Sequence, residues 1–256
     1  MITRGHGFHQ SYDISMSTFR IRVYLLLTLV FTVIVIPFFG SRYPQPTWYH
    51  DFADQRTLLG IPHLCNVVSN LPLFLVGLYG LWVVAEAEDA SFIESVEKWP
   101  YWIFMLFIAL AGLGSAYYHS DPNNDRLLWD RLPMAVAFMA LLAAIVAERI
   151  HLKTGLLLTI PLVLIGIASV VYWHWTEKIG RGDLRWYLTV QFGAMLILPL
   201  ILVLFPARYT RTNDLWAALG FYALAKALEL ADRPIYLTSG VVSGHTLKHL
   251  TAGVSV

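Results

Sequence analysis

The sequence predicts an all-α integral membrane protein: a seven-helix transmembrane bundle preceded by one additional N-terminal transmembrane helix. Two compositional facts and one pattern carry this. Hydrophobic residues make up 57% of the 256 residues and charged residues only 14%. A soluble domain of that size needs roughly 25% charged residues to cover its surface. The mean hydropathy is +0.59. The apolar residues also cluster into eight stretches near the length of about 20 residues that spans a hydrocarbon core.

Those stretches fall at about 19–40, 63–86, 100–119, 127–149, 155–175, 186–205, 214–231 and 241–256. Each is apolar around its circumference, as a lipid-facing helix is. Residues 1–18 form an N-terminal tail and 19–40 the additional helix. Arg20 and Arg22 ahead of its apolar run imitate a signal peptide. The run is long, however, and FFGSRYPQP is a poor cleavage pattern, so the segment reads as a retained helix. Residues 41–60 form an ordered connecting loop holding Pro44, Pro46, Trp48, Tyr49, His50, Asp51 and Asp54. The core is 61–256. Its last segment, 241–256, reaches only about 24 Å at 1.5 Å per residue, which reads as a truncated final helix.

Net charge is +1, giving no basis for nucleic-acid binding, and the single Cys65 excludes an intrachain disulfide and a cysteine-based zinc knuckle. Basic residues in the loops divide eight against eight between the two faces, so the positive-inside rule is nearly silent. Only the basic flank of the first helix favours an N-terminus inside, with the functional face outward.

Helix parity is more informative. If all eight segments span, His119 at the end of the third, Asp130 at the start of the fourth, and His245 and His249 at the start of the eighth share one membrane face. Ser115 and His119 are four apart and stack on one side of a helix. The His245/His249 pair has the spacing that grips one metal from a single helix face. A third histidine from another helix leaves the fourth tetrahedral position for water, the pattern of catalytic zinc. Zinc lowers the pKa of that water to about 7. Asp130 is placed to accept its proton, and Ser115 to bond an oxyanion. A lone HxxxH pair is a weak signal, and membrane histidines commonly just hydrogen-bond across helices. Asp130 beside Arg131 also suits a helix start. Polar groups at membrane depth are nevertheless costly and mark function.

Together these motifs resemble the alkaline ceramidase family, within the superfamily that also holds the adiponectin and progestin receptors. The resemblance covers roughly residues 45–256. It rests on Asn66, Ser69 and Asn70 in CNVVSNLP, on Ser115 and His119, on Asp130 in WDRLPM, and on His245 and His249 in SGHTLKHL. It implies Zn2+ held by His119, His245 and His249, with Asp130 and Ser115 catalytic. The implied reaction splits the amide of ceramide, or of a related lipid amide, into an amine and a fatty acid. The short loops are similar to bacterial members, implying a multi-pass protein of a bacterial inner membrane and a substrate such as an N-acyl amino lipid. Two departures stand out. His63 replaces a glutamate that opens the first core helix in eukaryotic ceramidases, and the calcium-binding lead-in is reduced to HDFAD with Asp51 and Asp54. A calcium site is therefore not expected.

Several polar residues keep two readings. His63 is either a partner of a ligand or of the water, or an interfacial histidine. Asn66, Ser69 and Asn70 bond neighbouring helices or orient the histidines. Lys226 and Glu229, followed by Asp232 and Arg233, are local charge pairs or a rim for a polar headgroup. His174, among Tyr172, Trp173 and Trp175, reads as an interfacial aromatic belt. A receptor-like or sensor protein that keeps the zinc with little turnover is the alternative function. A haem protein leaves Ser115 and Asp130 unexplained, and a transporter would show repeats or broken helices.

Overall fold

A computed structural model describes residues 15–87 and 92–256; Arg4 and most of the 1–18 tail lie outside the described residues. Ten α-helices follow one another among them: α1 (Met16–Val35), α2 (Leu64–Val68), α3 (Leu71–Glu86), α4 (Lys98–Ser120), α5 (Asn124–Arg149), α6 (Leu152–Lys178), α7 (Arg185–Leu204), α8 (Thr212–Leu230), α9 (Asp232–Ser239) and α10 (Gly244–Val254). Six helical stretches are long and apolar enough to cross a membrane: 16–39, 64–86, 95–120, 124–149, 152–178 and 185–204.

Helix α5 is the buried axis, flanked by α4, α6 and α7. Its alanine run, from Ala135 to Ala147, lets the neighbours approach closely, as small residues do where lipid supplies no hydrophobic drive. The Asn123 side chain caps its start by accepting a bond from the Arg126 amide at 3.0 Å. Helix α1 lies outside this core, mostly exposed, and packs on α7.

Three elements differ from expectation. The stretch 63–86 is broken at Ser69–Asn70 into α2 and α3. Pro72 has no N–H to return to Val68, so the helix cannot run through and restarts with proline in its first turn. The connector after α8 is itself a helix, α9. The final segment is helical only over Gly244–Val254, about 16 Å long. Within 41–60 the chain forms a single turn of 3-10 helix at Thr47–His50 and opens a two-stranded hairpin, Thr57–Leu58 with Ile61–Pro62. Its turn places Leu59 and Gly60 at positive φ.

Two glycines bring the functional helices together. Pro133 leaves the Trp129 carbonyl without its helical partner, and Gly114 of α4 packs directly on that oxygen, where a Cβ would collide. The contact seats Ser115 beside Asp130. Gly244 likewise lets the start of α10 abut the Leu228 carbonyl and Asp232.

Candidate metal and hydrolytic centre

His119 from the last turn of α4 and His245 and His249 from α10 meet in the bundle. All three are buried, and their ligand nitrogens lie within 4.8 Å of one another. His119 Nε2 and His245 Nε2 are 3.2 Å apart. Two ligands about 2.05 Å from a tetrahedral zinc are separated by roughly 3.3 Å, so this spacing already suits a shared ion.

The tautomer of His249 is set from behind. Its Nδ1 is 2.8 Å from Ser69 Oγ, and that hydroxyl donates to the Asn66 carbonyl at 3.1 Å. The ring therefore donates through Nδ1, leaving the Nε2 lone pair pointing inward. His249 Nε2 and His119 Nδ1 are buried without a hydrogen-bond partner. Buried polar atoms are rarely left so, and a lone pair orphaned beside two other imidazoles is what a metal ligand requires. The residues present fit the ion. Asn70 seats its amide against the same His249 nitrogen at 3.3 Å and donates to the Asn66 carbonyl at 2.7 Å. The Asn66 side chain accepts from Thr246 at 2.8 Å, tying α2 to α10.

Asp130 and Ser115 are buried beside the histidines, and the Ser115 side chain interacts with the Asp130 carboxyl. Glu229 accepts from Lys226 at 2.6 Å, as the spacing suggested. It also accepts from Lys248 of α10 at 2.8 Å, and Lys248 Nζ lies 3.3 Å from His245 Nε2. Lys248 was not foreseen. The available signal was a lysine between two candidate ligands in a chain poor in charge.

Phe52 was missed as well, and nothing in the local pattern distinguishes it. From the 41–60 loop it covers the site, with ring centroids 4.7 Å from His119 and 4.5 Å from His245. Asp232 pins this cover: its two oxygens accept from the amides of Ala53 and His245 at 2.9 and 2.8 Å.

His63 touches none of the three histidines by hydrogen bond; its Nδ1 is 2.9 Å from the Asp54 carbonyl, at a left-handed backbone position. Arg56 grips Asp54 through two bonds of 2.8 and 2.7 Å and reaches the Val241 carbonyl at 2.6 Å, anchoring the loop to the approach to α10. The hydrogen bonds from Arg56 hold the Asp54 carboxyl below the usual carboxylate range. Asp51 is engaged by Arg233 at 2.9 Å. His50 bridges the Tyr118 hydroxyl at 2.9 Å and Asn124 at 3.0 Å, and burial lowers its pKa. His174 lies at the same end and pairs with Asp125 at 2.9 Å.

Below the site an apolar cavity of about 910 Å3 runs into the bundle, within the range of small-molecule pockets. Its wall includes Leu73, Ala111, Met134, Tyr222 and Ala252. Each stands four residues, one helical turn, deeper than Ser69, Ser115, Asp130, Lys226 and Lys248 respectively. The polar site is the mouth of the cavity.

The family model described as Ceramidase matches residues 60–227. Ser115, His119 and Asp130 lie inside that segment, whereas His245, Lys248 and His249 lie beyond it and join the site through the fold. No curated protein matches the chain.

Proposed function

The chain belongs to the ceramidase family, and from that premise we propose a zinc-dependent hydrolysis, within the membrane, of the N-acyl bond of ceramide or a related lipid amide. Family membership makes the protein a hydrolase acting on amide bonds, and its apolar helices make it a multi-pass membrane protein. The observation that carries the finer reading is the buried trio of histidines at the mouth of an apolar cavity, with Ser115 and Asp130 alongside.

His119, His245 and His249 would hold the ion. When bound, zinc supplies Lewis acidity and lowers the pKa of a coordinated water to about 7. Asp130 takes the proton of the attacking water. The water oxygen bonds to the acyl carbon, the C–N bond breaks, and Asp130 returns the proton to the leaving nitrogen. Ser115 donates to the carbonyl oxygen as it gains charge. Ser69 and Asn70 hold the ring of His249 in orientation. The acyl tail lies in the cavity, whose wall between Met134 and Ile145 on α5 runs about 16 Å. Phe52 keeps bulk water off the histidines.

Helices α8 and α10 would complete a seven-helix core, with α1 the additional helix. The basic flank of α1 supports an inside N-terminus, placing the site towards the outer face of a bacterial inner membrane. Purified protein should release fatty acid from a labelled ceramide or N-acyl amino lipid in detergent. Turnover undiminished in Asp130→Ala would remove the role given to that carboxylate.

A further inference from the structure

Charge at the cavity mouth does not balance. Lys226 of α8 and Lys248 of α10 converge on one carboxylate, Glu229. Arg131 of α5 is buried with no carboxylate bonded to it; its guanidinium stacks on Trp173 at 4.3 Å, Tyr187 at 4.6 Å and Tyr49 at 5.2 Å. Its Nε and Nη1 have no hydrogen-bond partner. Asp130 is the remaining carboxylate in electrostatic contact with these groups. Asp232 at the rim already spends both oxygens on the amides of Ala53 and His245. Three cations thus face two carboxylates before any metal enters, and a divalent ion raises the surplus.

Uncompensated charge away from water is expensive, and residues that carry it pair with something. The lysines are not sealed off. The side chains of Lys226 and Lys248 keep 27% and 18% of their exposure, so an incoming group can reach them. Position says what kind of group. Both lysines stand one turn above the cavity wall, level with Ser115 and Asp130. A lipid whose tail fills the cavity brings its amide carbonyl to that level. A negative group recognised there must lie within an atom or two of the scissile bond.

We propose that the substrate is an N-acyl amino acid type of lipid, whose carboxylate next to the amide nitrogen is received by Lys226 and Lys248. This rests on the amidase reading above and narrows it. A neutral ceramide leaves the surplus standing; an α-carboxylate reduces it without disturbing Glu229. Hydrolysis consumes one water, breaks the C–N bond and releases a fatty acid and a free amino acid, with no change of oxidation state.

The test compares N-oleoylglycine, neutral N-oleoylethanolamine and oleate on the zinc-loaded full chain in detergent. Wild type should hydrolyse N-oleoylglycine with a kcat/KM at least 10-fold above that of the ethanolamide. Lys226→Met, which touches no histidine, should bring the ratio to about 3 or less while leaving the neutral amide unaffected. Lys248→Met, checked for zinc content, should do the same. If neither amide is cut, equilibrium binding of the three ligands to the same samples decides, with the same ratios expected. Cleavage failing while the carboxylate preference survives would overturn the amidase reading alone. Equal handling of the two amides by wild type, a preference untouched by both substitutions, or binding of oleate but not N-oleoylglycine would each overturn the assigned substrate class.

Discussion

At the end of the bundle away from the histidines, Glu148 pairs with Arg149 at 2.7 Å, Arg149 donates to Thr212 at 2.9 Å, and Tyr101 donates to Glu148 at 3.3 Å. There too, Tyr209 donates to Glu97 at 2.7 Å, with Arg208 at 3.8 Å. At the histidine end, cations outnumber carboxylates, and buried atoms of Asn66, Asn70, His119, Arg131 and His249 stand without partners. Among the described residues, no buried partnerless atom belongs to the Glu97–Arg208 and Glu148–Arg149 group. Both ends bury charge at similar depth, so burial alone does not mark function. The distinction is completeness. A network whose donors and acceptors are spent braces α4, α5 and α8; one with orphans and surplus charge awaits a metal and a substrate.

That contrast can be broken by substitution at either end. The largest effect is expected from Asp130→Ala: a loss of at least about 100-fold in amide hydrolysis with zinc content unchanged, read by turnover and metal analysis together. Next comes Ser69→Ala, which frees Nδ1 of His249 and should weaken zinc binding about 10- to 100-fold in a chelator competition, with folding retained. At the braced end the signature reverses. Arg149→Met leaves Glu148 buried without its cation and should cost about 3 kcal/mol of stability, while the kcat of the surviving folded fraction stays near wild type. A collapse of kcat in that variant with full zinc would dissolve the distinction between the ends.

The smallest effect concerns the loop that covers the site. Burial lowers the pKa of His50 below its ordinary 6.5. The folded state therefore favours the neutral ring, and the unfolded chain binds the extra proton. Stability should fall as pH drops below about 6.5, because charging the ring breaks its fit between Tyr118 and Asn124. His50→Gln should flatten that acid-side slope in thermal melts between pH 7 and pH 5, leaving zinc content intact.

Much of this was legible before the fold. Hydropathy marked the helices because lipid exposure demands apolar side chains on every face, and parity alone brought His119, Asp130, His245 and His249 to one side. Helix spacing paired Ser115 with His119 and Lys226 with Glu229. What escaped depends on contacts between distant segments. Phe52 is one aromatic residue in a loop until α4 and α10 supply the rings it covers. Lys248 faces Glu229 only because α10 packs on α8. The break at Ser69–Asn70 was readable in Pro72, but hydropathy averages over a proline. The short helix α9 is too polar for a method tuned to lipid exposure, yet through Asp232 it holds both the cover and the start of α10.

The measurement that bears most directly on the central claim is the zinc content of the detergent-purified protein beside a His245→Ala/His249→Ala double variant. About one zinc per chain, lost in the variant while helicity is retained, is the predicted result. A well-folded wild type that takes up no zinc from a buffered supply would contradict a metal centre in these three histidines and the hydrolytic mechanism built on it.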